Sequence, residues 1–164
     1  MIKELVLISL ILSLLSIAAF GIASINANVG VMTSSASPNY AVGVTIKSLG
    51  AVGFELTVEG NLGSSFDLRK VGSIQQWNFM PSILLSLPSG EIRPYAGIGI
   101  LTSYDVPDGK FSPISLEPLY YRGGVDVFFK GFSLFAEAQG TFNYQPKWSF
   151  SGINEWRFGA GLAF

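Results

Sequence analysis

The sequence contains no cysteine and no histidine among its 164 residues. Without cysteine, disulfide bonds and thiolate chemistry are excluded. Without histidine, the chain lacks the commonest general base and the commonest transition-metal ligand in proteins. The sequence therefore predicts a protein that is not an enzyme and that carries no metal or other cofactor.

Charge is also scarce, at 13% of residues, whereas 49% of residues are hydrophobic. Soluble globular domains carry about 25% charged residues, so much of this surface is expected to meet lipid rather than water. The formal net charge is −1, which gives no reason to expect nucleic-acid binding. The length suits one domain.

The first segment has the pattern of an export signal. A short polar start contains Lys3, residues 5–23 are apolar except for serines, and the small residues Gly21 and Ala23 end the run. This pattern predicts a signal peptide at residues 1–23, cleaved after Ala23 or after Ala27. The alternative is a retained transmembrane helix, but the strand-like sequence that follows favours the signal peptide.

The remaining residues, 28–164, predict a single β-barrel domain because polar and apolar residues alternate between turn residues. Strands are predicted at 28–34, 39–48, 53–61, 74–87, 92–104, 118–129, 132–144 and 154–164. The last is the clearest, because apolar residues occupy alternate positions from Trp156 to Phe164 while Arg157, Gly159 and Gly161 occupy the others.

The connections between these strands alternate in length. Short ones lie near 49–52, 88–91 and 130–131, and longer ones at 62–73, 105–117 and 145–153; only the first outer connection, 34–38, is brief. Short turns on one side and long loops on the other are typical of up-and-down membrane barrels. The predicted fold is all-β: an eight-stranded antiparallel up-and-down transmembrane β-barrel, preceded by a signal peptide.

Alternation alone does not separate this fold from a soluble lipocalin-like barrel with its apolar face inward. Two features favour the membrane barrel. The polar face is rich in glycine, as the narrow interior of an eight-stranded barrel requires. Large aromatic residues also lie near strand ends on the apolar face, as expected for a girdle at the membrane interface. The predicted girdle by the long loops is Tyr40, Trp77, Tyr104, Tyr144 and Trp156.

Eight charged residues fall on the predicted inward face, and their signs balance. They are Lys47, Arg93, Arg122 and Arg157 together with Glu55, Glu59, Asp126 and Glu137. A charge in a narrow lumen must be paired or hydrated, so these residues are expected to form a structural network. Counting from the short turns places Lys47 opposite Glu55 near the periplasmic end. It places Glu137 at mid-height, within reach of Arg122 and Arg157.

The ending WRFGAGLAF, residues 156–164, resembles the carboxy-terminal assembly signal of outer-membrane barrels, carried here by Trp156, Phe158, Leu162 and Phe164. The segment RPYAGIGI, residues 93–100, resembles a strand of OmpA/OmpX-like and opacity-like barrels. The resemblance implies a small eight-stranded barrel in the bacterial outer membrane, with outer-membrane lipids and the barrel assembly machinery as partners. Because the sequence ends within the last strand, we expect no peptidoglycan-binding domain.

The enzymes among small outer-membrane barrels, such as lipid A deacylases, palmitoyltransferases and omptin-type proteases, depend on histidine. The predicted function is therefore structural or surface-interacting, with extracellular loops displayed on a plugged barrel. The alternative is a narrow channel or conduit for small solutes or apolar molecules. Asp105 and Asp108 could ligate calcium, but we expect solvated loop residues, and the sequence does not identify an extracellular ligand.

Overall fold

A computed structural model describes residues 22–33, 37–87 and 90–164. Eight long strands form the barrel wall: β1 (Ile22–Met32), β2 (Asn39–Leu49), β3 (Val52–Gly63), β4 (Gln76–Ser86), β5 (Ile92–Asp105), β7 (Ser115–Phe129), β8 (Phe132–Asn143) and β10 (Glu155–Ala163). Two short strands, β6 (Lys110–Phe111) and β9 (Ser149–Phe150), and one 3-10 helix (Leu68–Ser73) lie in the long connections. Apart from Ile22 and Ala23, the predicted signal peptide lies outside the described residues.

The eight long strands close into a ring in which every neighbour is antiparallel. The order is β10-β1-β2-β3-β4-β5-β7-β8, and β8 pairs in turn with β10. The prediction of an all-β, closed, antiparallel eight-stranded barrel is confirmed. The turn between β7 and β8 consists of Lys130 and Gly131, both with positive φ (46° and 84°), as tight two-residue hairpins require.

Several strand boundaries differ from the prediction. Strand β1 begins at Ile22, six residues before the predicted start. Directly after the apolar run, inward Ser24 and Asn26 alternate with outward Ile25 and Ala27, as in a strand. Strand β7 begins at Ser115 rather than 118. Strand β4 begins at Gln76 rather than 74, because Ile74 instead caps the 3-10 helix, which the sequence analysis did not predict.

The two faces of the wall differ in chemistry. Large apolar side chains stand exposed on the outside, among them Ile25, Val44, Ile83, Ile98, Leu134 and Phe158. Polar and charged side chains are buried inside, as expected for a narrow barrel with a lipid-facing exterior. Within the described residues, no helix is long and apolar enough to cross a membrane.

Inward glycines allow large side chains to share this narrow interior. A Cβ added at Gly159 would overlap the ring of Phe135, its partner on β8. One added at Gly124 would overlap the Ala136 carbonyl oxygen at 2.5 Å and the Tyr95 side chain, whose hydroxyl oxygen would be 2.6 Å away. Both aromatic side chains thus lie against glycines of neighbouring strands, and both contact Lys47.

Candidate functional site

The lower part of the lumen, toward the short turns, contains a four-residue ion cluster. Lys47 and Glu55 lie opposite each other on β2 and β3, with Lys47 Nζ 3.3 Å from Glu55 Oε2. Across the lumen, β7 contributes Asp126, whose Oδ2 is 3.2 Å from Lys47 Nζ, and Arg122, which pairs with Glu55. These ion pairs therefore connect β2, β3 and β7 through charged residues that were predicted to lie on the inward face.

Two aromatic rings enclose the Lys47 ammonium. Its Nζ lies 4.1 Å from the ring centroids of both Tyr95 and Phe135, a geometry in which cation–π attraction adds to the ion pairs. Lys47 also donates to the Tyr95 hydroxyl at 2.8 Å, and that hydroxyl donates to Glu137 Oε2 at 2.9 Å. Tyr95 therefore connects the lower cluster to the upper one.

The upper cluster is centred on Arg157, which is 1% exposed. Its Nε is 3.1 Å from Glu59 Oε2, its Nη1 is 2.5 Å from Glu137 Oε1, and its Nη2 is 3.0 Å from an oxygen of Glu155. These carboxylates come from β3, β8 and β10. Arg122 lies farther from Glu137, at 3.6 Å. Arg157 is therefore the closer cation of the two for Glu137.

Glu155 is a network member that the sequence analysis missed. It is 5% exposed and also accepts a hydrogen bond from Gln139 at 3.0 Å. Its position two residues before Arg157 places both on one strand face, so alternation could have identified it. The ion pairs described join five carboxylates (Glu55, Glu59, Asp126, Glu137, Glu155) to three cations (Lys47, Arg122, Arg157). In these ion pairs the carboxylates outnumber the cations.

Arg93 takes a different position from the other predicted cations. It lies opposite Asp126 in the strand register, but its Nε donates to the Gly90 carbonyl at 3.2 Å and its guanidinium lies 5.7 Å from the Phe128 ring centroid. Beside it, Leu84, Tyr95 and Phe128 form a buried apolar cluster. The short-turn end of the lumen is therefore filled by apolar side chains.

The long-loop end of the lumen is more open. A cavity of about 130 Å³ lies there, lined in part by Glu59, Met80, Tyr120 and Glu155. Two of these lining residues, Glu59 and Glu155, are carboxylates that pair with Arg157. In the described part of the chain, no group of three or more acidic, histidine or cysteine side chains is arranged to hold a metal ion.

The predicted girdle and assembly residues lie on the outer wall. Trp77 and Tyr104 are register partners on β4 and β5, and Trp156 is 44% exposed on β10. Tyr40 begins the outward set of β2, and Tyr144 follows the end of β8. The predicted assembly residues Phe158, Leu162 and Phe164 are exposed, and Phe164 exchanges two backbone hydrogen bonds with Ala23, both 2.9 Å.

No family model matches the sequence, and no curated protein matches it. Solved structures do match. The N-terminal β-barrel domain of Pseudomonas aeruginosa OprF aligns with a TM-score of 0.57 at 15% identity, covering 88% of this chain and 98% of that one. Neisserial surface protein A gives 0.51 at 13% identity, covering 87% and 94%. A de novo designed transmembrane β-barrel gives 0.50 at 12% identity, covering 88% and 94%.

These alignments span nearly the full length of each barrel, so the fold is that of the small eight-stranded outer-membrane barrels. The resemblance predicted from the sequence is confirmed at the level of fold. The apolar outer wall and the closed ring agree with the predicted location in the bacterial outer membrane, because only helices and closed barrels satisfy their backbone groups in lipid.

Proposed function

We propose that the protein is a non-catalytic outer-membrane barrel with a structural or surface-interaction role, displaying extracellular loops on a lumen plugged by its own side chains. The supporting observation is the Arg157 cluster, in which one buried guanidinium contacts carboxylates from three strands. Beneath it lie the Lys47 cluster and then the apolar layer of Leu84, Tyr95 and Phe128. An eight-stranded barrel leaves little space around such side chains.

Measurement of conductance in planar lipid bilayers tests the plug. The purified, refolded protein is expected to show no steady conductance. The double variant Arg157→Ala with Glu137→Ala removes both halves of one ion pair and is expected to conduct more, provided that it still folds. Folding is checked separately by the heat-dependent gel mobility typical of stable barrels. A large, steady conductance of the unchanged protein would overturn the plugged lumen.

That outcome would support the alternative of a narrow channel or conduit. The cavity of about 130 Å³ at the long-loop end favours this second function, because it gives a small solute access as far as Glu59 and Glu155. In either case, we propose that outer-membrane lipids contact the apolar wall and that the barrel assembly machinery acts on strand β10.

A further inference from the structure

The apolar outer face of the barrel continues past the wall into the long loops. In the loop after β8, strand β9 pairs back onto β8 so that Phe150 lies opposite Phe142. Their ring centroids are 5.4 Å apart, and the Trp148 ring stacks on Phe142 at 6.0 Å with an interplanar angle of 17°. Phe142 has the outward parity of β8, so this loop presents its aromatic face outward.

The loop after β5 repeats this arrangement. Strand β6 pairs back onto β5 and places Phe111 opposite the outward Tyr104. The Phe111 ring centroid lies 4.9 Å from that of Tyr104 and 5.4 Å from that of Phe79. Here too the loop adds an aromatic side chain to the outside of the wall.

The loop after β3 folds against the outer wall. Ile74 packs in a buried cluster with Val42 and Leu62, both at outward positions. A Cβ added at outward Gly60 would overlap the Ile74 side chain, with its nearest atoms at 2.6 Å. The Phe66 ring meets Tyr40 edge-on at 5.9 Å. The segment therefore covers the outside of the barrel.

The height of these contacts along the barrel matches the edge of a membrane. Phe142 lies ten residues beyond Phe132 on the same outward face of β8. A rise of about 3.3 Å per residue and a tilt of about 40° separate the two by about 25 Å along the barrel axis. The apolar band of outer-membrane barrels is also about 25 Å tall. Trp148 and Phe150, which stack on Phe142, thus lie at the outer boundary of the hydrocarbon.

Basic residues stand beside exposed apolar residues in two of the loops. Lys147 precedes Trp148, which is 72% exposed. In the 3-10 helix, Arg69 and Lys70 follow Leu68, which is 61% exposed. Apolar side chains beside lysine or arginine are the pattern of segments that lie in a membrane interface and contact anionic headgroups.

Two acidic residues of the same loops accept hydrogen bonds from nearby backbone N–H groups. Asp67 accepts a hydrogen bond from the backbone N–H of Arg69 at 3.0 Å, and Asp105 accepts one from that of Asp108 at 2.9 Å. These carboxylates stabilise local turns.

We propose that the three long loops form a lipid-binding collar, comprising Phe66, Leu68, Phe111, Trp148 and Phe150 with Arg69, Lys70 and Lys147. The apolar side chains enter the outer leaflet at the acyl–headgroup boundary, and the basic side chains bind the phosphates of its lipids. The inference rests on the proposed membrane orientation. It changes the role of these loops from display in solvent to attachment to the leaflet.

Single-tryptophan fluorescence tests the collar. The variant Trp77→Phe with Trp156→Phe retains only Trp148, and the matched control Trp77→Phe with Trp148→Phe retains only the wall residue Trp156. Both are reconstituted in phosphatidylglycerol bilayers. Trp148 is expected to be quenched by lipids brominated near the headgroup more strongly than by aqueous acrylamide. Trp156 is expected to be quenched by the brominated lipids whether the loops contact the leaflet or stand in solvent.

The control separates the two ways of failing. If neither tryptophan is quenched by lipid, the membrane insertion itself is wrong. If Trp156 is quenched by lipid but Trp148 only by acrylamide, the barrel is inserted and the collar is overturned.

The phosphate contact has its own test. Lys147→Gln in the Trp148 variant is expected to increase acrylamide quenching in phosphatidylglycerol bilayers but not in bilayers of a neutral diglycosyl lipid. Inorganic phosphate added to the protein in non-ionic detergent should leave the Trp148 emission unchanged, since the proposed ligand is a lipid. Equal behaviour of Lys147→Gln in both bilayers, or a response to free phosphate, would contradict the lipid-phosphate assignment.

Discussion

At the scale of single residues, Glu137 connects the two ion clusters. It accepts from Arg157 through Oε1 at 2.5 Å and from the Tyr95 hydroxyl through Oε2 at 2.9 Å. Tyr95 in turn accepts from Lys47 at 2.8 Å. Buried charges are costly unless they are paired and hydrogen-bonded. Loss of Glu137 would therefore leave both Arg157 and the Tyr95 hydroxyl without one of their buried partners.

Replacing Glu137 with alanine is therefore expected to destabilise the barrel by about 3–5 kcal/mol, the usual cost of breaking a buried pair from one side. Trapped water would reduce that loss. Adding Arg157→Ala should recover part of it, whereas Arg122→Ala should recover less, because Arg122 lies 3.6 Å from Glu137. Urea unfolding in lipid vesicles measures these changes. Strict additivity with both arginines would contradict the network.

At the scale of strands, the sequence predicted those whose alternation runs between clear turns. Strand β8 was predicted within one residue, because its pattern begins after the Lys130–Gly131 turn and continues unbroken. Strand β1 was truncated in the prediction because residues 22–27 overlap the end of the predicted signal peptide and its two candidate cleavage sites. The two-residue strands β6 and β9 are too short to show any period.

The position of β1 bears on the processing of the chain. Residues 24–27 pair with both β10 and β2, so cleavage after Ala27 would leave backbone groups of both neighbours unpaired in lipid, at several kcal/mol each. Cleavage after Ala23 preserves these pairs and removes only the pairing of Ile22 and Ala23 with β2 and the bonds of Ala23 to Phe164. We therefore expect the mature protein to begin at Ser24, as N-terminal sequencing or intact mass would show. A folded, membrane-inserted protein beginning at Asn28 would contradict this.

The end of β10 offers a second test on the scale of strands. Deleting Phe164 removes both its aromatic ring and its backbone groups, which bond to Ala23 in the unprocessed chain, whereas Phe164→Ala removes only the ring. If the ring is an assembly signal, both variants should accumulate as protease-sensitive protein in the periplasm. Normal assembly of Phe164→Ala beside failure of the deletion would show that the backbone bonds matter instead. Normal assembly of both would refute any role.

At the scale of the whole molecule, contacts across the lumen depend on ring closure. Alternation placed Lys47 and Asp126 on inward faces, but their 3.2 Å contact joins β2 to β7 across the barrel. Such a pair follows from the strand number, tilt and register of the closed ring together. The contacts of Lys47 with the rings of Tyr95 and Phe135 also cross the barrel. The alternation within single strands does not predict which residues meet across the lumen.

The orientation of the whole barrel in the membrane is also testable. The short turns and the two chain ends are expected on the periplasmic side, and the long loops are expected on the cell exterior. A short epitope inserted after Asp108, in the exposed turn between β5 and β6, should be labelled by antibody on intact cells. One inserted between Lys130 and Gly131 should be labelled only after the outer membrane is permeabilised. The reverse pattern would invert the topology.

The pairing of β1 with β10, in which Ser24 lies opposite Ala163, makes the strand order cyclic in space although it is linear in the gene. Joining Phe164 to Ser24 by a short flexible linker, opening the chain at the Lys130–Gly131 turn and moving the signal peptide to the new N-terminus would give a circular permutant in which every strand keeps both neighbours. Adjacent chain ends are what make such rearrangements tolerable. In that permutant, β8 would leave the ribosome first and β7 last, so the lumen clusters would have to form from strands delivered in a different order.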